Sequence, residues 1–133
     1  MGKPAAKQGD QIIALDTHIV LVPSPGGATP TPLPHPFRGT INGGLSPNVK
    51  IQGRPAATVG STASNQPPHF PASPGTSFQT PPSNLGSILK GSITVLINGK
   101  PATRAGDQAQ TCADPYPNTN AKVVAAGTVL IGG

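Results

Sequence analysis

"KPATRAGDQ", residues 100–108, is a short turn that the chain writes three times. The other two versions are "KPAAKQGDQ" at 3–11 and "RPAATVGST" at 54–62, so the copies stand about fifty residues apart. Aligned on Pro4, Pro55 and Pro101, each copy is preceded by a glycine and a base: Gly2-Lys3, Gly53-Arg54 and Gly99-Lys100. Another glycine follows five residues after each proline, at Gly9, Gly60 and Gly106. A proline of fixed φ between glycines of free φ gives the turn a mechanical cause. "VKIQG" (49–53) and "VLING" (95–99) precede the second and third copies, with Val and Ile two residues apart and therefore on one face of a strand. The predicted unit is a strand, a tight turn, a second strand and an excursion.

The first copy has no leading strand, and the far end of the chain supplies one. "VLIGG", residues 129–133, nearly repeats "VLING". The sequence therefore predicts a ring: segment 128–133 completes the unit whose turn is at 2–10, and the other turns lie at 53–61 and 99–107. Three units closed in this way make one all-β, pseudo-threefold domain over residues 1–133. Its termini are neighbours, and closure removes the sheet edges that promote aggregation.

Composition agrees. With 17 Gly and 18 Pro, about a quarter of the 133 residues, the chain expects long irregular loops, and the segments 23–36 and 64–84 are the richest in proline. The β-branched runs "IIALDTHIVLV" (12–22), "SITVLING" (92–99) and "KVVAAGTVLIGG" (122–133) argue against disorder throughout. The formal net charge is +5, but the nine Lys and Arg are scattered singly and aromatics make up only 3%. A nucleic-acid site clusters its cations, so a protein partner is expected instead. Lys3 and Lys7 have no apolar stretch behind them, which predicts synthesis in the cytoplasm without a secretory signal.

A core so poor in large side chains needs a staple. One cysteine cannot form an internal disulfide, which leaves a metal or oligomerisation. The imidazole and thiol side chains are His18, His35, His69 and Cys112. His18 and His69 each lie fourteen residues after the proline of their own copy, and Cys112 lies eleven after Pro101. Each repeat thus delivers one ligand on its excursion, and threefold-related excursions converge on the axis. His35 is the fourth. Three imidazoles and a thiolate suit Zn²⁺, with bonds of about 2.0–2.1 Å to nitrogen and about 2.3 Å to sulfur. Four protein ligands close the shell, so the predicted site is structural, with one ion per chain. Asp10 and Asp107 share a repeat position, with Ser61 in the middle copy, and read as turn caps rather than an acid–base pair. No catalytic motif accompanies them, and no enzymatic activity is expected.

The recurring G-[KR]-P-A-x-x-x-G frame, with "PAAK" (4–7), "PAAT" (55–58) and "PATR" (101–104), resembles the PAAR-repeat proteins. The resemblance implies a small conical β domain with a metal at its apex and long Pro/Gly-rich loops. Its broad base would cap the trimeric β-helical spike of a contractile injection machine: type VI secretion, a phage tail or an extracellular injection particle. It implies a membrane-piercing tip that contacts the target membrane transiently and is delivered outside the cell or into the target. Two other readings remain open from the residues. One is a metal-stapled adaptor recruiting effector cargo to the spike; the other is a zinc hydrolase using His18, His35 and His69.

Overall fold

Antiparallel pairing at the three turns sets the architecture. The computed structural model describes residues 2–133. In it β4 (Lys50–Ile51) pairs with β5 (Arg54–Pro55), and β9 (Leu96–Ile97) pairs with β10 (Lys100–Pro101). Gln52-Gly53 and Asn98-Gly99 make these turns with positive φ at both residues, 51° and 82°, then 53° and 80°. That is the hairpin geometry whose twist matches the flanking strands. β1 (Lys3–Pro4) finds the corresponding partner in β13 (Leu130–Ile131), Lys3 facing Ile131 and Pro4 facing Leu130. The last strand of the chain therefore stands where β4 and β9 stand in the other two units.

The units interlock through their backbones. Ala6 N–H donates to the Thr103 carbonyl, Thr103 N–H to Ala57 and Ala57 N–H to Ala6, at 2.9, 3.2 and 3.0 Å. This is a closed cycle of three bonds about one axis. Bridges between Ala5 and Arg104, Lys7 and Ala56, and Thr58 and Ala102 repeat the relation beside it. Ala5, Ala6, Ala56, Ala57 and Ala102 are all buried, which explains the recurring Pro-Ala step. Around this meeting point the side chains are small, alanine everywhere except Thr103 in the third copy, and larger bulk there would force the backbones apart. The turns are capped as their chemistry suggests. Asp10 and Asp107 carboxylates accept the Lys7 and Arg104 amides at 3.0 and 2.7 Å, and the Ser61 hydroxyl accepts that of Thr58 at 3.0 Å.

Beyond the turns, six strands close into a barrel, two from each unit. They are β2 (Gln11–Ser24), β3 (Gly27–Gly43), β6 (Thr62–Asn65), β8 (Leu85–Ile88), β11 (Gln108–Thr111) and β12 (Asn118–Val124). The order is β12-β11-β8-β6-β3-β2, and β12 pairs back onto β2. β7 (Ser77–Phe78) adds to the outer side of β2. No helix occurs among the described residues. Two apolar layers stack along the axis. Ile51, Ile97 and Ile131 cover Ala5, Ala56 and Ala102 near the turns; Ile12, Ile41, Ile88 and Val123 surround Phe37 in the next layer. Gly39 and Gly86 make room for that ring, since a Cβ at Gly39 would come within 2.6 Å of it.

The two proline-rich segments behave differently. Segment 64–84 is mostly irregular, with the end of β6 at Ser64 and Asn65 and the short β7 within it. Much of 23–36, expected as loop, is instead strand: β2 and β3 pair without interruption from Gln11–Thr40 to Ser24–Gly27. Pro30, Pro32, Pro34 and Pro36 face Leu21, Ile19, Thr17 and Leu15. Even-numbered residues of β3 turn their backbone away from β2, as Arg38 shows by donating its N–H to Asn65 Oδ1. All four missing N–H groups therefore fall on the open edge of β3, where a strand tolerates proline and where its absence of donors discourages edge pairing.

Candidate metal centre

The donors gather at the end of the barrel away from the turns. Along β2 alternate residues point inward, so Asp16 and His18 share the interior face and are fully buried. His35 lies opposite Asp16 on β3. His69 comes from the loop after β6, its backbone N–H donating to Asn84 Oδ1 at 2.7 Å. Cys112 directly follows β11. The sequence placed one ligand on an equivalent excursion of each repeat. The structure converges three different settings: mid-strand, loop and strand end.

One donor atom from each of Asp16, His18, His69 and Cys112 lies within 4.8 Å of all the others. Cys112 Sγ is 3.7 Å from His18 Nε2 and 3.8 Å from Asp16 Oδ2. The same Oδ2 is 3.6 Å from His69 Nε2 and 4.0 Å from His18 Nε2. With bonds of about 2.0–2.3 Å, a tetrahedral ion has donor–donor edges of roughly 3.3–3.8 Å. Three of these four separations fall in that range and the 4.0 Å one lies just beyond it, so a small inward movement of the donors would seat one zinc-sized ion. Two further observations agree. His69 Nε2 is buried with no hydrogen-bond partner. His18 Nδ1 lies 3.0 Å from Asp114 Oδ2, which fixes a proton there and leaves Nε2 free for the cluster, the usual outer support of a metal-bound imidazole.

His35 sits beside this group with its ring centroid 5.3 Å from that of His18 and 5.7 Å from that of His69. Its nitrogens are engaged elsewhere: Nδ1 donates to the Leu33 carbonyl at 2.9 Å, and Nε2 accepts the Ala72 N–H at 3.1 Å. The four residues read from the sequence are thus neighbours, and Asp16 joins them. Sequence reasoning passed over Asp16, yet "DTH" held the signal, because residues two apart on a strand share a face.

Electrostatics bind the group together. Burial opposes the charged imidazole of His69, but the Asp16 carboxylate and the Cys112 sulfur raise it to about 9. Burial likewise works against the Cys112 thiolate, and His18 and His69 overcome it, bringing the thiol down to about 7. Asp16 is held below its ordinary value despite burial by His69, Thr111 and Asn118. His18 is raised against its burial by Cys112 and Asp114, whereas burial lowers His35. Two anionic donors balanced by protonated imidazoles are poised to exchange those protons for a divalent cation.

The PAAR motif family model matches residues 79–133, which include the third turn, Cys112 and the closing strand. A search of curated proteins returned no match. PAAR proteins associate with the spikes of injection systems, and the matched segment contains one of three turns that here interlock about a single axis. Residues 79–133 thus match the PAAR motif, and the turn they contain is written three times in an all-β chain that closes about one axis.

Proposed function

We propose that the chain is the structural tip that caps a trimeric β-helical spike and sharpens it for passage through a target membrane. The observation that carries this reading is the cyclic bonding of Ala6, Ala57 and Thr103, by which one chain presents three nearly equivalent faces. Lys3, Arg54 and Lys100 take equivalent exposed places in the turns. Lys50, Leu96 and Leu130 do the same one strand back, and the two leucines are 62% and 60% exposed. A homotrimer offers three identical strand ends, and such a base meets each of them in a similar way. Docking by strand addition suits the short strands there.

At the other end, His18, His69 and Cys112 would hold a structural Zn²⁺ where the barrel is too narrow for an apolar core. Structural zinc contributes about 10 kcal/mol or more in small domains. Protein donors fill the coordination shell, so the ion holds the apex and does no chemistry. Sheath contraction supplies the force, and the tip concentrates it. The test is co-purification with a trimeric spike protein. Leu96→Asp with Leu130→Asp should abolish capture, whereas Leu15→Asp, exposed at the metal end, should leave it intact. Capture that survives the base substitutions contradicts this orientation.

A further inference from the structure

We propose that Asp16 supplies the fourth ligand of the metal, and that His35 is a positioning residue that anchors the loop bearing His69. The inference rests on the metal-holding role of the apex and identifies how that site is completed. The two oxygens of Asp16 have different surroundings. Oδ1 accepts from the Thr111 hydroxyl and from Asn118 Nδ2, the latter at 3.2 Å. Oδ2 has only the three other donors of the cluster around it: His69 Nε2, Cys112 Sγ and His18 Nε2, at 3.6, 3.8 and 4.0 Å. A carboxylate clamped through one oxygen, with the other aimed at two imidazole nitrogens and a sulfur, is oriented for monodentate binding. Asp16 is fully buried, so its orientation is not a solvent-averaged one.

His35 is built for another task. Its Nε2 accepts the N–H of Ala72, three residues beyond His69 in the same loop. Its Nδ1 is spent on Leu33, which fixes the tautomer that makes Nε2 an acceptor. If His35 turned to ligate the ion, it would release the Ala72 amide and unfasten the segment that delivers His69. Ligation and anchoring exclude each other at one nitrogen. With Asp16 and Cys112 both anionic, the set of two imidazoles, carboxylate and thiolate carries the charge of a divalent ion to neutrality, which a buried site favours.

The experiment combines zinc titration of the full chain with nitrogen NMR of histidine-labelled protein loaded with cadmium. Direct metal–nitrogen coupling is expected at two imidazoles, His18 and His69, with His35 keeping its hydrogen-bonded tautomer. Asp16→Asn should weaken zinc binding by more than about 100-fold, because loss of an outer support alone costs about 10–100-fold. His35→Gln should fall within that smaller range and keep the two coupled imidazoles. Coupling at His35, or a loss with Asp16→Asn no larger than with His35→Gln, overturns the assignment while leaving a metal at the apex. A wild-type chain that binds no stoichiometric metal instead removes the metal reading itself. The spectra are taken on the wild-type chain, so they decide even if Asp16→Asn fails to fold.

Discussion

Phe37→Ala is the substitution that most directly probes how so small a core holds together. Phe37 is 2% exposed and lies in the barrel layer immediately under the donor cluster, its ring centroid 6.0 Å from that of His69. Truncating a buried phenylalanine costs about 3–5 kcal/mol, depending on how far the surroundings collapse into the cavity. Collapse is hindered here. Gly39 and Gly86 against the ring have no side chain to swing inward, and the strands that carry Ile12, Ile41, Ile88 and Val123 are locked by a closed ladder. The upper part of that range is therefore expected. For a domain of this size each kcal/mol shifts Tm by a few degrees, so the fall should be on the order of 15 °C. The assay is thermal unfolding at saturating zinc and again with chelator. Because the ring supports the His69 side of the site, zinc affinity should fall as well. Ile93→Ala, at a side chain 87% exposed, provides the control and should change little. A Tm within a few degrees of wild type for Phe37→Ala would refute the idea that one aromatic ring fills the axis.

Replacing Pro32 and Pro34 by threonine returns two N–H donors to the open edge of β3, and light scattering should then show concentration-dependent association that the wild type lacks. Without metal, the Cys112 thiolate becomes the major species as pH rises through about 7, so alkylation of chelated protein should reach half its plateau rate near that value. Added zinc should suppress the reaction; a midpoint near the ordinary 9.0 would show that His18 and His69 do not act on the sulfur. Deleting residues 129–133 removes the partner of β1 and the buried Ile131, and soluble folded protein should be lost. A truncated chain that melts like the full one contradicts ring closure.

Much of the ring was legible because it depends on local, repeated signals. Proline and glycine fix a turn wherever they occur in that order, and "VLIGG" announced its kinship with "VLING" by simple identity. The cyclic bonding of Ala6, Ala57 and Thr103 was less visible, since no single copy shows why its alanines must be small. The segment 27–36 misled for a physical reason. Prolines usually mark loops, but alternate prolines place every missing donor on one edge, and only the pairing partner reveals that this edge is free. At the metal end, spacing pointed to His18, His69 and Cys112, yet equivalence of position was not what united them. His69 reaches the cluster on a loop whose path depends on Asn84 and His35, contacts that lie far apart in sequence. Asp16 was within reach of strand periodicity, two residues from His18, but a lone carboxylate carries no spacing signal of its own.

The most direct measurement is the native mass of whatever complex forms when the chain is co-expressed with a trimeric β-helical spike protein. One chain with three faces about one axis should give a single tip on a spike trimer, with one metal ion per assembly. A complex of three tips per trimer, or a self-association of this chain that leaves the spike protein unbound, would show that the interlocked turns serve some purpose other than matching a threefold partner.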